Sequence, residues 1–157
     1  MTQPQSTYLT AEGAKRLKEE LKDLKGPQRL AIAKRLRDAI QMGDLSENAD
    51  YAKAKEDQSF LEGRIQELEY ILANAAIIEE SAGKKDKVVI GAHITIQEEG
   101  FDPETYHLVG AKEADPRNGK ISHESPIGQA LLDHRVGDIV KVKTPAGEIE
   151  LKITKIE

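Results

Sequence analysis

Two carboxylates offer the first chemistry in this chain. Asp44 and Glu47 lie three residues apart in Gly43-Asp44-Leu45-Ser46-Glu47-Asn48, between two long helix-forming stretches. A pair of carboxylates can share a hard cation and can hold or deprotonate a water molecule. Two are too few to hold Mg²⁺, which takes six oxygens and usually shares them with phosphate and water. Metal chemistry here therefore needs a partner's ligands. Arg29, Lys34, Arg35 and Arg37 precede the pair, and Lys53 and Lys55 follow it. Cationic side chains of this kind suit phosphate. The residues alone leave two readings open. One is a pair of acids delivered to a distant metal, with basic flanks against phosphate. The other is a solvated polar turn whose Glu complements a helix dipole.

Other reactive groups are scattered. His93, His107, His123 and His134 match no zinc-binding spacing. Ser122, His123, Glu124 and Ser125 are adjacent, but triad members converge from separate elements, so Ser125-Pro126 is better explained as a helix start. No glycine-rich phosphate loop or nucleophile elbow occurs, and zero cysteines exclude disulfides, iron–sulfur clusters and cysteine zinc sites.

The elements that must carry Asp44 and Glu47 are helices. Thr10 can cap the first of them, and the stretch to Met42 consists largely of good helix formers. Leu17, Leu21 and Leu24 form a heptad seam. Beyond Gly26-Pro27 the apolar positions become Ile32, Leu36 and Ile40, which predicts a kink or short break at the proline. Gly43 can end this limb, and Ser46 or Asn48 can cap the next. Tyr51, Ala54, Gln58, Leu61, Ile65, Leu68 and Leu72 then alternate steps of three and four up to a helix end near Asn74. Two such limbs across a short turn make an antiparallel coiled-coil hairpin with its tip at 43–48, each limb roughly 40 Å long at ~1.5 Å per residue.

The pattern then changes to short β-branched segments, at 75–80, 87–90, 93–97, 105–109, 119–122, 138–143 and 148–156. Asp-Pro, Asn-Gly and Pro-Ala-Gly turns punctuate them. One short helix is expected at 125–132, with Ser125 as cap and Pro126 as first residue. The fold class is α+β: a helical hairpin over 1–77, then a small antiparallel sheet with one helix over 78–157.

Composition narrows the function. The chain has 157 residues and a net charge of −5, whereas a free-standing nucleic-acid binder usually carries the opposite sign. Aromatics are 4%, which speaks against an all-β sandwich. The N-terminal residues MTQPQSTY have no apolar stretch of the signal-peptide kind. Apolar runs such as Ala75–Ile78 are far short of the ~20 residues of a membrane span. A soluble, cytoplasmic protein is expected, and a self-contained hairpin favours a monomer.

Gly43-Asp44-Leu45-Ser46-Glu47-Asn48-Ala49-Asp50-Tyr51 resembles the tip motif of the bacterial GreA/GreB transcript-cleavage factors. The run from Asp115 through Ser125-Pro126-Ile127-Gly128 to Leu131, with Val136-Gly137-Asp138 and Thr144-Pro145-Ala146-Gly147, resembles the second signature of the same family. The resemblance spans Tyr8 to Ile156 and is closer to the GreA branch. It implies that the C-terminal domain is FKBP-like and docks on bacterial RNA polymerase. It implies that the hairpin enters the polymerase secondary channel and that its tip stimulates the polymerase's own cleavage of backtracked RNA 3′ ends. Such a protein is not itself an enzyme. By the same resemblance, Asp44 helps hold a second Mg²⁺ shared with the polymerase, and Glu47 orients or deprotonates the attacking water. The free protein needs no cofactor, and nucleic acid is met only inside the polymerase complex.

Within that reading, Arg29, Lys34, Arg35, Arg37 and Lys53 are expected near nascent RNA, or else on a solvated helix face. Ser125, Pro126 and Ile127 are the expected docking patch, because a helix start offers free N–H groups and Ile127 an apolar contact. Two alternatives stand beside it: an inhibitor that occupies the channel, and an FKBP-like prolyl isomerase or chaperone. The isomerase needs an aromatic-lined hollow, for which the C-terminal half offers only Phe101 and Tyr106.

Overall fold

The computed structural model describes residues 7–44, 47–79 and 85–157. In chain order the elements are β1 (Tyr8–Thr10), α1 (Ala11–Asp23), α2 (Arg29–Gln41), α3 (Ala49–Asn74), β2 (Ala76–Ile78), β3 (His93–Glu98), β4 (Glu104–Val109), β5 (Lys120–Ser122), α4 (Pro126–Leu131), β6 (Ile139–Thr144) and β7 (Gly147–Ile156). They form two compact units. One is Ala14–Asn74; the other joins the chain up to Gly13 with Ala75–Glu157. The sequence suggests one boundary, at 77/78. The contacts instead divide the chain at 13/14 and 74/75.

The first unit is the hairpin. Thr10 does cap α1: its Oγ1 accepts the Gly13 N–H at 3.0 Å. Leu24, Leu61, Ile65 and Leu68 are buried together, with Leu17, Leu21 and Ile32 packed against them. Crossed ion pairs flank this seam: Lys25–Glu69 and Arg64–Glu20 at 2.7 Å, Arg29–Glu62 at 2.7 Å and Arg35–Asp57 at 2.8 Å. Each pair is exposed and screened by water, so by itself it contributes little. Together they favour one antiparallel register.

The break expected at Gly26-Pro27 is a π-helical turn, Leu24–Gln28, and helix continues on both sides. The Arg29 N–H reaches the carbonyls of Leu24 and Gly26. Pro27 has no N–H to give the ladder, and the wider turn absorbs the loss with one extra residue. The extra residue also explains the seam. Leu24 to Ile32 is eight residues, a heptad plus one. The seam then runs Ile32, Leu36, Ala39, so the expectation for Ile40 is corrected: Ala39 is 2% exposed and Ile40 52%. At the end of α3 the inward position is Ile71, with Leu72 half-buried.

The second unit holds a five-stranded sheet in the order β5-β4-β3-β7-β6. β3 pairs antiparallel with β4 and β7, and β6 with β7, whereas the edge pair β4–β5 is parallel. Inward residues of the strands, such as Ile94, Leu108, Val142 and Ile153, make the core, and α4 adds Leu131. Residues 87–90 are not a strand. Val88 is fully buried, and its N–H and carbonyl bond His134 O at 2.8 Å and Asp133 N at 3.0 Å. A lone apolar peg produces the same short β-branched signal as a strand. β1, three residues of which the last is the helix cap Thr10, shows no alternation in the sequence. It pairs in parallel with β2, Tyr8 opposite Ala76 and Thr10 opposite Ile78.

Candidate functional site at the hairpin tip

The tip is built by Gly43 and Asn48. α2 ends where the Met42 N–H turns back to Ala39 O at 3.1 Å. Gly43 follows at φ 121°, a conformation that residues with a Cβ rarely adopt. On the far side, Asn48 Oδ1 accepts the Tyr51 N–H at 3.1 Å, so Asn48 caps α3. Its Nδ2 donates to Ala39 O at 2.7 Å. One side chain thus starts the second limb and ties it to the end of the first. Ser46, the other expected cap, lies outside the described residues, as does Leu45.

Asp44 and Glu47 are both exposed in this turn. Asp50, in the first turn of α3, is exposed as well. Among the described residues no three His, Cys, Asp or Glu side chains are grouped so as to hold a metal ion. Two exposed carboxylates are fewer oxygens than a divalent cation takes.

The structure separates the five basic residues singled out near the tip. Arg29 is committed to Glu62 through Nε and Nη2, both at 2.7 Å. This bond raises the Arg29 pKa and lowers that of Glu62. Arg35 and Lys53 converge on Asp57 at 2.8 and 3.2 Å, and Lys53 also reaches Glu56 at 3.2 Å. Hydrogen bonds from Arg35 and then Lys53 hold the Asp57 carboxyl below its usual range. Lys34 and Arg37 are exposed and form no ion pair among the described residues. Arg35, Asp38, Ala39, Met42, Asp50 and Lys53 line a shallow hollow of about 210 Å³ beside the tip. The sequence reading missed Asp57 as the residue that collects two of the cations. Its place one turn after Lys53 was the available signal.

At the C-terminal patch Ser125 is the helix cap that the sequence suggests, with Pro126 as first helical residue. Ser125 Oγ accepts the Gly128 N–H at 3.1 Å and donates to Ser122 O at 2.7 Å. The amide expected to be free is thus capped from within. Ile127 is half-buried against the sheet core, and Pro126 alone of the three is exposed. Ile127 also borders a hollow of about 120 Å³ with Phe101 and Tyr106, beside Glu98, Asp102 and Glu104. The Tyr106 hydroxyl donates to Glu104; that bond and partial burial push its pKa up to about 12. The hollow falls below the ~300–1,000 Å³ of small-molecule sites, which gives no support to a prolyl-isomerase pocket.

Three of the four histidines make ring contacts. His93 and His107 stack at 4.1 Å across β3 and β4, and His123 meets the Tyr8 ring edge-on at 5.4 Å. Ser122 Oγ accepts the Glu124 N–H at 3.0 Å, which makes the 122–125 run a turn and not a catalytic array.

Comparison with known proteins agrees with the tip motif and the C-terminal signature. Residues 7–77 match the model of the N-terminal domain of transcription elongation factors, and residues 83–157 match the C-terminal domain of GreA/GreB. Transcription elongation factor GreA of Thermoanaerobacter pseudethanolicus is 50% identical over 149 residues, covering 94% of this chain and 95% of that one. The same factor of Halalkalibacterium halodurans is 46% identical over 157 residues, covering 99% of each. The solved structure of GreA factor homolog 1 of Thermus thermophilus is 29% identical, covers 98% of this chain and 99% of that chain, and superposes with a TM-score of 0.44. This chain belongs to the GreA/GreB family of transcription elongation factors.

Proposed function

We propose that this elongation factor enters the secondary channel of bacterial RNA polymerase and stimulates the polymerase's own cleavage of backtracked RNA 3′ ends. The observation that carries the reading is the tip itself: Asp44 and Glu47 stand exposed in a turn that Gly43 and Asn48 build. Exposed carboxylates fit Mg²⁺, a cation that prefers oxygen ligands, and two of them fit a shared shell and not a private one. Asp44 would be the ligand. Mg²⁺, when bound, supplies charge that stabilises the oxygens of a phosphodiester undergoing hydrolysis. Glu47 has the chemistry to accept a proton from the attacking water. The chain acts as an activator and not as a free-standing enzyme, because the remaining ligands and the RNA come with the polymerase.

The C-terminal unit is the docking module in this proposal, working on polymerase as a monomer in the cytoplasm. Its contact includes exposed Pro126 and the rim beside Ile127; Ser125 shapes that loop from within. Lys34 and Arg37 are the cations open to nascent RNA, with Arg35 and Lys53 available only by exchange from Asp57.

The decisive experiment adds the protein to a stalled, backtracked elongation complex with Mg²⁺ and measures transcript length. The expected result is a shortened 3′ end. A protein that binds the complex and slows nucleotide addition without shortening RNA would be a channel inhibitor instead. Shortening at the wild-type rate by the Asp44→Asn, Glu47→Gln double variant would remove the tip from the mechanism.

A further inference from the structure

The sheet unit buries one acidic side chain that the tip chemistry does not use. Glu113 ends a short 3₁₀ turn, Ala111–Glu113, just after β4, and is 8% exposed. Both of its carboxylate oxygens are spent on one residue from the beginning of the chain. Oε2 accepts the Thr10 N–H at 2.6 Å, and Oε1 accepts the Thr10 hydroxyl at 2.6 Å. The same hydroxyl oxygen accepts the Gly13 N–H at 3.0 Å. The carboxylate thus extends the cap of α1 through Thr10, at the helix end where negative charge is favourable. Hydrogen bonds to a carboxylate at such distances are the strong kind.

Two glycines make room for this arrangement. A Cβ on Gly13 would stand 1.8 Å from Glu113 Oε1, and one on Gly110 would stand 1.7 Å from the Tyr8 carbonyl oxygen. The strand leading into α1 is fastened at other points as well. Leu9 is fully buried, the Tyr8 ring meets His123, and β1 pairs with β2, the strand that follows α3. All these residues belong to the sheet unit, while α1 runs on from Gly13 into the hairpin. A buried carboxylate is costly to keep unless its partners repay the lost hydration. Here they repay it at the point where the chain passes from one unit to the other.

We propose that Glu113 is a positioning residue for the arm: it latches the first turn of α1 to the sheet unit, so that productive delivery of Asp44 and Glu47 depends on a carboxylate outside the tip. The consequence for cleavage rests on the function proposed above. Without the latch both units stay folded, but the joint that follows Gly13 loosens.

The test uses the full-length protein with Glu113→Ala, Glu113→Gln, Gly13→Ala and the Gly13→Ala, Glu113→Ala double variant. Amide hydrogen exchange at Thr10 and Gly13 and the concentration dependence of RNA cleavage are measured for each. Glu113→Ala should speed both amides about tenfold or more, since a local opening is set free. It should lower the maximal cleavage rate by about ten- to a hundredfold, the scale of a misplaced reacting group, while the half-saturating concentration moves less than about twofold. Glu113→Gln keeps an acceptor for the Thr10 N–H and should recover part of the rate. Gly13→Ala should mimic Glu113→Ala, yet add nothing to it in the double variant, because the clash needs the carboxylate.

Unchanged exchange would overturn the latch. Faster exchange with a wild-type maximal rate would overturn the positioning role, and so would faster exchange throughout β3–β7, which marks a fold defect. Additive losses in the double variant would overturn the Gly13–Glu113 pairing. If the wild-type protein shortens no transcript, the functional reading fails, and exchange at Thr10 and Gly13 still decides the latch.

Discussion

The proposed function gives Asp44 and Glu47 different chemistry, so their variants should fail differently. Asn keeps the shape of Asp44 but loses the charge that attracts a cation. Gln keeps the shape of Glu47 but cannot take a proton from water. Each change should lower the maximal stimulated cleavage rate at least about a hundredfold, the lower range for a lost acid–base group. Polymerase binding should stay within about twofold, and stability within about 0.5 kcal/mol, as for exposed positions. Raising Mg²⁺ should restore Asp44→Asn more than Glu47→Gln; equal rescue would refute the division of roles. Tyr106 carries a separate prediction, free of polymerase. Its bond to Glu104 and its partial burial raise the pKa to about 12 from an ordinary 10.0. The folded state therefore keeps the proton that the unfolded state gives up. The stability this contributes is complete below pH 10.0 and is lost as the pH rises to about 12. A phenolate absorbance titration should show Tyr106 ionising late, and Glu104→Gln should move it earlier.

The helices make their own predictions through phase. The π-turn at Leu24–Gln28 advances the seam by one residue, from position 38 to position 39, so Ala39 is buried and Ile40 is exposed. Ala39→Leu should overpack the seam and cost ~1–3 kcal/mol in a denaturant titration. Ile40→Gln should stay within ~0.5 kcal/mol. The reverse order of effects would mean that Ile40 and not Ala39 faces inward. Asn48 joins both limbs through one amide group. Asn48→Ala should cost ~1 kcal/mol as a lost cap and should speed exchange of the Tyr51 amide. Asn48→Asp keeps the cap acceptor but loses the donor to Ala39 O. It should recover stability more fully than cleavage, because the cap holds α3 while the donor closes the turn that carries the acids.

For the assembled factor, the ion pairs sort the cations that the proposed function brings near RNA. Arg29 is committed to Glu62, and Arg35 shares Asp57 with Lys53, whereas Lys34 and Arg37 face outward. Replacing Lys34 and Arg37 with Ala should weaken cleavage of deeply backtracked complexes and flatten its dependence on salt, since fewer counterions are then released. Arg29→Ala should leave that dependence nearly unchanged; a steeper effect at Arg29 than at Lys34 and Arg37 would count against this sorting. The tip motif, the two helical limbs and the caps at Thr10 and Ser125 were legible in the sequence because each depends on neighbours within one or two turns. The last inward position before the tip was not, because the phase change was visible at Ile32 and Leu36 but the next step from Leu36 could be three or four residues, and the larger side chain is at 40. The strand at Tyr8–Thr10 was hidden for a different reason: its partner is Ala76–Ile78, on the far side of the whole hairpin. Glu113 was hidden furthest. In the sequence it is one acid among 28, and only folding brings its carboxylate to a threonine 103 residues earlier. Sequence by itself determined what is periodic and local, namely the helices, the turn between them and the two acids it displays. Tertiary structure alone decided which cations are already spent and which carboxylate is buried, because pairing and burial depend on residues that no local pattern brings together.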